Sequence, residues 1–549
     1  MNELFDEVRE NLRTLRQEVD DLSDAVVDKG GSEETHLPAI SDEISNFWTG
    51  GDGIVYTEID KDYHPIKIEF RNVTNTNIYS LDMSKLEEIR FKPTPAMTES
   101  TVTIPDRFFR NATSLRYVDF DRCNLIIGAS AFSGCTGLES INFGSAKELK
   151  NLAFHGTGLT SVNLGNLETV QDNAFDQCND LVSVDFGSMT SISGDYIFKN
   201  CTSLTTIDFH NLQTISGYGM FYGCTALTTV DVGDLSSLGS GTFYECSSLE
   251  SVNLGNLTIL PESVFYYCAS LKTIDISNIK TIGRYAFAYS GLTTIDLSDV
   301  ESIDSSAFEY CLTGAIDIPK VTRLNGYTFN GSRITSVNIP NVTQLGSNEF
   351  YYCAELTSVT LSPSLTTIPG YTFYNCTSLK NINLSNVKQI YSYAFQQSGL
   401  ESLTLNEANI VEAKAFVMCT QLETIELIRN ESTDLSPINL RCFINSYAFA
   451  GCISLLSFKV KQMQYNPSGS YGDLSLIVES GAFSGCSSLK TVKFIVTTER
   501  YAYVSDKTFD SSNTSLTDIY VSWGENDPPN QTAPWGAPAG VTIHYNYTE

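Results

Sequence analysis

A phenylalanine returns about every 22 residues through most of this chain. It stands at Phe109, Phe132, Phe154, Phe175, Phe198, Phe221, Phe243, Phe265, Phe287, Phe308, Phe329, Phe350, Phe373, Phe395, Phe416, Phe449, Phe483 and Phe509. A fixed period of this size marks a repeated unit too small to bury its own apolar face, so successive units must stack and share one core. That constraint overrides the several globular domains that 549 residues would otherwise suggest.

The unit is legible in Ala131-Phe132-Ser133-Gly134-Cys135-Thr136-Gly137-Leu138-Glu139-Ser140-Ile141-Asn142-Phe143, and residues 372–384 and 482–494 repeat its plan. A small or polar turn follows the Phe, a Cys comes three residues on, and then a Leu. An alternating run closes the unit, as where Ile274 and Ile276 flank Asp275. Alternation of period two predicts a strand with one buried face. One strand per unit, stacked unit on unit, predicts a parallel sheet along one side of a solenoid, with Phe, Cys and Leu filling the interior.

This pattern resembles the BspA-like leucine-rich repeat family, whose units read Ala-Phe-x-x-Cys-x-x-Leu-x-x-Ile-x-Leu, over about residues 108–521. The resemblance implies a leucine-rich repeat solenoid of about eighteen units and a place among surface adhesion or interaction proteins of bacteria, protists and phages. It does not imply a ligand.

Twelve of the fourteen Cys occupy the position three after the repeat Phe. The other six units carry Ala112, Thr157, Ser290, Ser332, Ser398 and Ser512 there. A position that accepts Cys, Ser, Thr or Ala asks for a small buried group and not a cross-link. Where the residue is Thr157, Ser290, Ser332 or Ser398, the following Leu or Ile comes one residue early, so the turn shortens without the sulfur. Neither Cys-x-x-Cys pairs nor interleaved His appear, which excludes the usual zinc patterns; no metal and no cofactor are expected.

The charge balance, 34 basic against 64 acidic residues, argues against nucleic acid and anionic membranes as partners. No run approaches the roughly 18 apolar residues of a membrane span. The opening residues are charged and lack an apolar leader core, which suggests a virion or extracellular surface reached without a signal peptide.

The chain divides into a coiled-coil helix at 1–28, a linker at 29–46, an N-terminal β cap at 47–100, the solenoid at 101–522 and a C-terminal cap at 523–549. In the first segment Phe5, Val8, Leu12, Leu15, Val19, Leu22 and Val26 alternate in steps of three and four, an a/d heptad seam. It predicts a homo-oligomer of two or three chains, or docking into a larger assembly; an amphipathic helix folded onto its own solenoid is the alternative.

Two surfaces are candidate binding sites. The outward residue of each strand forms a column of Asp and Asn that includes Asp185, Asp208, Asp231, Asp275, Asp296 and Asp317, a face suited to hydrogen bonding a glycan or cationic peptide. Towards the end the period lengthens and the column changes sign, at Lys459 and Lys493. Extra residues at about 428–440, 461–472 and 495–503 follow the strand in three successive units, which predicts one protruding lobe carrying Arg441, Lys461, Tyr465, Tyr471, Tyr501 and Tyr503. Tyrosines also crowd the turns, as at Tyr266, Tyr267, Tyr351 and Tyr352, where packing is the simpler account.

Catalytic constellations are missing from the sequence. The five His are scattered, and repeated identical carboxylates offer no pair with distinct environments. The expectation is a non-enzymatic binding or adhesion protein, displayed as a virion-associated host-attachment component such as a phage tail or surface fibre, that meets a host-surface glycan or protein. A bacterial cell-surface adhesin or interaction module is the alternative. A polysaccharide depolymerase using Asp185 with Asp208, or Asp208 with Asp231, is the rival from another class.

Overall fold

The structure is a computed structural model that describes residues 54–59, 65–70, 85–92, 101–407, 410–429, 442–462, 476–496, 502–524 and 534–548. Among these residues every regular element is a strand and none is a helix. The heptad seam and the linker lie outside them. The chain forms two compact units, Met1–Leu227 and Thr228–Glu549. Both are parallel-strand solenoids whose rungs are the repeats.

In the first unit the expected strands pair in parallel and in register. Ser161–Asn163, Ser183–Asp185 and Thr206–Asp208 align residue for residue, with Val184 beside Val162 and Ile207. At the amino end Pro65–Phe70 and Glu88–Phe91 join this type of ladder, and Ile54–Ile59 borders them antiparallel. In the second unit Thr424–Arg429, Ser457–Gln462, Thr491–Val496, Asp518–Val521 and Thr542–His544 make one parallel run. Trp523 and Trp535 pack edge to face beneath its end, 6.4 Å apart and fully buried.

Many rungs also carry a second, short strand that the alternation did not predict. Leu125–Ile127, Glu148–Leu149 and Thr169–Val170 form such a ladder in the first unit, and Thr367–Ile368, Gln389–Ile390 and Ile410–Val411 in the second. Two or three residues with one or two inward side chains are too few to show a period.

The third side of the rung is the turn around the Phe, and it is a hydrogen-bond ladder too. The N–H groups of Ser130, Phe132 and Gly134 donate to the carbonyls of Asn151, Ala153 and His155 on the next rung, at 2.8–2.9 Å. The N–H groups between them, on Ala131, Ser133 and Cys135, turn back to carbonyls three residues earlier in their own rung. Alternating in this way requires left-handed backbone two residues before and two after the Phe. Ser130 and Gly134 have φ of 56° and 77° about Phe132, and Tyr371 and Asn375 have 60° and 58° about Phe373.

Inside, the repeat rings stack nearly parallel. Phe132, Phe154, Phe175 and Phe198 lie 5.0–5.6 Å apart in the first unit, and Phe308, Phe329, Phe350 and Phe373 lie 5.3–5.8 Å apart in the second. All are fully buried.

All fourteen cysteines are free and buried. The column position is more than a small group, however: its sulfur donates across the rung. Cys135 Sγ lies 3.1 Å from the Phe109 carbonyl, Cys178 3.2 Å from Phe154, and Cys376 3.2 Å from Phe350. The Phe109 and Phe350 carbonyls already accept the N–H groups of Ala112 and Cys353 in their own rungs, so the sulfur fills the second lone pair. This explains the tolerance for hydroxyls. Ser332 Oγ makes the bond to the Phe308 carbonyl at 2.8 Å. In the last rung Asn513 supplies it instead, its amide 2.8 Å from the Phe483 carbonyl.

Cys376→Ser is therefore expected to change the unfolding free energy by less than about 1 kcal/mol, and Cys376→Ala to lower it by about 1–3 kcal/mol, because the alanine leaves a buried carbonyl partly unmet. Denaturant unfolding of the two variants checks this; equal losses would contradict it.

Candidate functional site

The Asp and Asn column begins as a row of turn caps. Each side chain lies at the corner that follows the alternating run and folds back onto the N–H two residues on. Asp185 Oδ1 accepts from Gly187 at 2.7 Å, Asp208 from His210 at 3.0 Å, Asp231 from Gly233, Asp275 from Ser277 and Asp296 from Ser298, the last three at 2.9 Å. Gly187 and Gly233 have φ of 58° and 55°, and the cap holds that left-handed corner in place.

Repulsion along the column is relieved by neighbours. Asn163 Nδ2 donates to Asp185 Oδ2 at 2.6 Å, Asn253 to Asp231 at 3.1 Å, and Asn338 to Asp317 at 3.0 Å. His210 Nδ1 sits between Asp185 and Asp208, at 2.9 and 3.0 Å. The N–H of Ser277 holds the exposed Asp275 carboxyl below the usual carboxylate range, and that of Ser298 does the same for Asp296. With one oxygen on a turn and His210 shared between them, Asp185 and Asp208 do not form the pair of unlike carboxylates that glycoside hydrolysis uses.

Of the predicted lobe, Lys461 and Tyr503 are within the described residues; Arg441, Tyr465, Tyr471 and Tyr501 are outside them. The extra length starts as added strand. Thr424–Arg429, Ser457–Gln462 and Thr491–Val496 each run for six residues, against four in Ser402–Leu405 of the rung before, and Lys461 is in register with Ile428 and Ile495. Tyr503 lies in the other ladder, on Ala502–Val504, with 47% of its surface exposed. The structure therefore does not bring these two residues into one sheet. The sign change at Lys493 ends in an aromatic cluster: its Nζ donates to Tyr547 Oη at 3.0 Å and lies 5.7 Å from the Tyr520 ring, which stacks on His544 at 4.3 Å.

Two features escaped the sequence reading because each is a single departure within a repeated column. The position just after the repeat Phe places Ser133, His155 and Asp176 on successive rungs. His155 Nδ1 lies 3.3 Å from Asp176 Oδ2, and burial raises the Asp176 carboxyl. This has the order of a hydrolytic triad but not its working parts. No hydrogen bond joins Ser133 to His155, and the Gly134 N–H, which an oxyanion would need, is spent on the His155 carbonyl at 2.8 Å.

The second is Glu349, fully buried just before Phe350 where most rungs have alanine or another neutral residue. Its carboxylate accepts N–H groups from Gly326 at 2.6 Å, Gly346 at 2.9 Å and Thr328 at 3.1 Å. Burial outweighs these donors and lifts its pKa to about 7.

The tyrosines, in contrast, are presented outward. Tyr267, Tyr289 and Tyr310 stack face to face at 4.9 and 5.1 Å, and Tyr371 stacks on Tyr393 at 4.8 Å. Beyond Tyr310 and beyond Tyr447 the next rung has glycine, whereas beyond Tyr393 it has Lys414. A Cβ on Gly331 would lie 2.4 Å from the Tyr310 ring, and one on Gly481 would lie 2.5 Å from Tyr447.

Among the described residues no group of His, Cys, Asp and Glu has the arrangement of a metal site, and no helix is long and apolar enough to cross a membrane.

A family profile described as a BspA type leucine rich repeat region, six copies long, matches residues 102–228, 194–315, 301–423, 343–466 and 444–524. No match is found among curated proteins. Similar solved structures include a leucine-rich repeat protein from Bacteroides ovatus ATCC 8483, 20% identical over 86% of this chain and 98% of that one, with a TM-score of 0.34. Another is a leucine rich cell surface protein from Faecalibacterium prausnitzii A2-165, 17% identical over 85% and 93%, with a TM-score of 0.26. A leucine-rich repeat protein from Eubacterium ventriosum ATCC 27560 is 16% identical over 61% and 91%, with a TM-score of 0.27.

A carboxyl whose folded pKa lies above its unfolded value stabilises the fold fully below the unfolded value, near 4.5, and loses that contribution as pH rises through about 7. The loss expected for Glu349 is roughly 3 kcal/mol. Thermal unfolding of the native chain should weaken from pH 5 to pH 8 more steeply than that of Glu349→Gln. Parallel pH profiles would contradict the assignment.

Proposed function

The chain belongs to the BspA-type leucine-rich repeat family, and from that premise we propose that it is a non-enzymatic binding protein, a virion-associated host-attachment component that displays its solenoid in two or three copies. The observation that carries this reading is the a/d seam of residues 1–27 in a chain whose remaining length is almost wholly repeat. A solenoid repeats the same surface groups many times, which suits extended, weak recognition more than chemistry at one point. A seam that joins such surfaces raises their avidity by about 10²–10⁴ over a single copy without any new contact. Weak binding faces on a multivalent fibre are what attachment to a host surface requires. Burial pushes Cys135 up to about 12 and Cys178 to about 11, which takes these two thiols away from nucleophilic chemistry.

Light scattering tests the assembly. The full chain is expected at two or three times the mass of its protomer, and a chain starting at Phe47 at one. Binding of both to a panel of bacterial cells tests the attachment: the full chain should be retained on a subset of strains and the truncated chain washed away. A monomeric full chain, or one that binds no strain, would overturn the reading.

A further inference from the structure

Eight tyrosines between Tyr267 and Tyr393 sit at positive φ, among them Tyr267 at 57°, Tyr289 at 56°, Tyr310 at 51° and Tyr352 and Tyr371 at 60°. A side chain with a Cβ costs about 1 kcal/mol in this conformation, and glycine or asparagine removes most of that cost. The equivalent positions of the Met1–Leu227 unit hold mostly such residues, including Asn111, Gly134, Gly156, Asn173 and Gly223. Burial does not repay the strain of the tyrosines. Tyr267, Tyr310 and Tyr352 keep 44%, 49% and 44% of their surface exposed. Strain held at an exposed position, in rung after rung, points to use of the side chain by something outside the fold.

The chemistry of this face narrows what that is. Across the positions two before, one after and two after the Phe, in the rungs from Phe265 to Phe395, Glu309 is the one charged residue. It is itself engaged, accepting from Asn330 Nδ2 at 2.7 Å. Beyond these positions Arg284 lies over the Tyr285 ring at 5.6 Å and Lys414 Nζ donates to Tyr393 Oη at 3.2 Å; in a chain with 98 charged residues the face is still sparsely charged, which matches a neutral partner. The rings stack on one another at 4.9 and 5.1 Å, so their faces are occupied and no pocket opens for an apolar anchor. What projects is a row of ring edges and phenol hydroxyls, one rung apart. Ring edges carry the positive end of the quadrupole and face oxygen lone pairs well. Burial raises the Tyr289 phenol to about 12 and also raises Tyr351, so these two keep their hydroxyl protons as donors. An extended pyranose polymer offers hydroxyl oxygens at a step close to that of the rungs.

We propose that the tyrosine-bearing turn face between Tyr267 and Tyr393 binds a neutral polysaccharide chain lying along the rungs. The proposal rests on the attachment reading above and names its ligand class. Affinity electrophoresis of the full chain in native gels containing hydroxyethylcellulose, galactomannan or alginate tests it. Migration should be retarded by a neutral polymer and not by alginate. In Tyr267→Asn/Tyr289→Asn/Tyr310→Asn the apparent dissociation constant should rise at least tenfold, while the melting temperature holds or rises because asparagine accepts the left-handed backbone. A second set, Tyr352→Asn/Tyr371→Asn/Tyr393→Asn, should behave alike. Passage through both neutral gels unretarded, stronger retardation in alginate, or retardation unchanged in both variants would overturn the proposal. Cell binding separates the two readings. If both variants bind cells and are retarded in neutral gels like the native chain, attachment stands and the tyrosine site falls. If the native chain is retarded in a neutral gel, loses this with the substitutions and binds no cells, the site stands and attachment falls.

Discussion

The hydrogen bond from the repeat phenylalanine's N–H to the next rung is the interaction on which the remaining structure depends. At Phe132 and Phe373 it measures 2.8 and 2.7 Å. It sets the distance between successive turns, and that distance places the rings at 5.0–5.6 Å, within stacking contact, along the Phe132 to Phe198 run. It also orients the Phe carbonyl so that two donors reach it, the backbone N–H of its own rung and the sulfur or hydroxyl of the next. The Phe154 and Phe175 rungs are thus joined on three sides, and within a unit stability accumulates rung by rung as it does in other solenoids.

This economy divides the polar surface between structure and recognition. On the strand side the Asp and Asn side chains are bound to the corners they cap, and Asn163, Asn253, Asn338 and His210 neutralise or bridge them. On the turn side the backbone meets its own hydrogen-bonding needs, so the side chains at the left-handed positions are free to vary. In the second unit many of them, from Tyr267 to Tyr447, are tyrosines. A rigid, paired backbone beneath an exposed aromatic row holds that row in its binding geometry before any partner arrives, which reduces the ordering cost of association.

The sequence shows some of this plainly and some not at all. The Phe period and the Val184-type alternation announce the stacked rungs, because both signals repeat often enough to separate from chance. The exchange of Cys for Ser332 or Thr157 shows a small buried site, but its need for a donor is visible only once the Phe carbonyl is found opposite the sulfur. The second strand, as in Ser191–Ile192, is too short to carry a period. Left-handed turns are usually read from glycine and asparagine. Here Tyr289 and Tyr371 occupy them, so the turn ladder is hidden behind residues that sequence rules assign elsewhere. Glu349 escapes for the opposite reason, since one carboxylate in a column of alanines resembles surface drift until its burial is known.

Native-state amide hydrogen exchange, resolved by mass spectrometry, measures the central claim most directly. If the turn is a ladder, peptides covering the Phe and the residues two before and two after it exchange as slowly as the strand peptides of the same rung, as in residues 371–375 beside Gln389–Ile390. Turn peptides that exchange at the rate of open loops, while the strands stay protected, would contradict it.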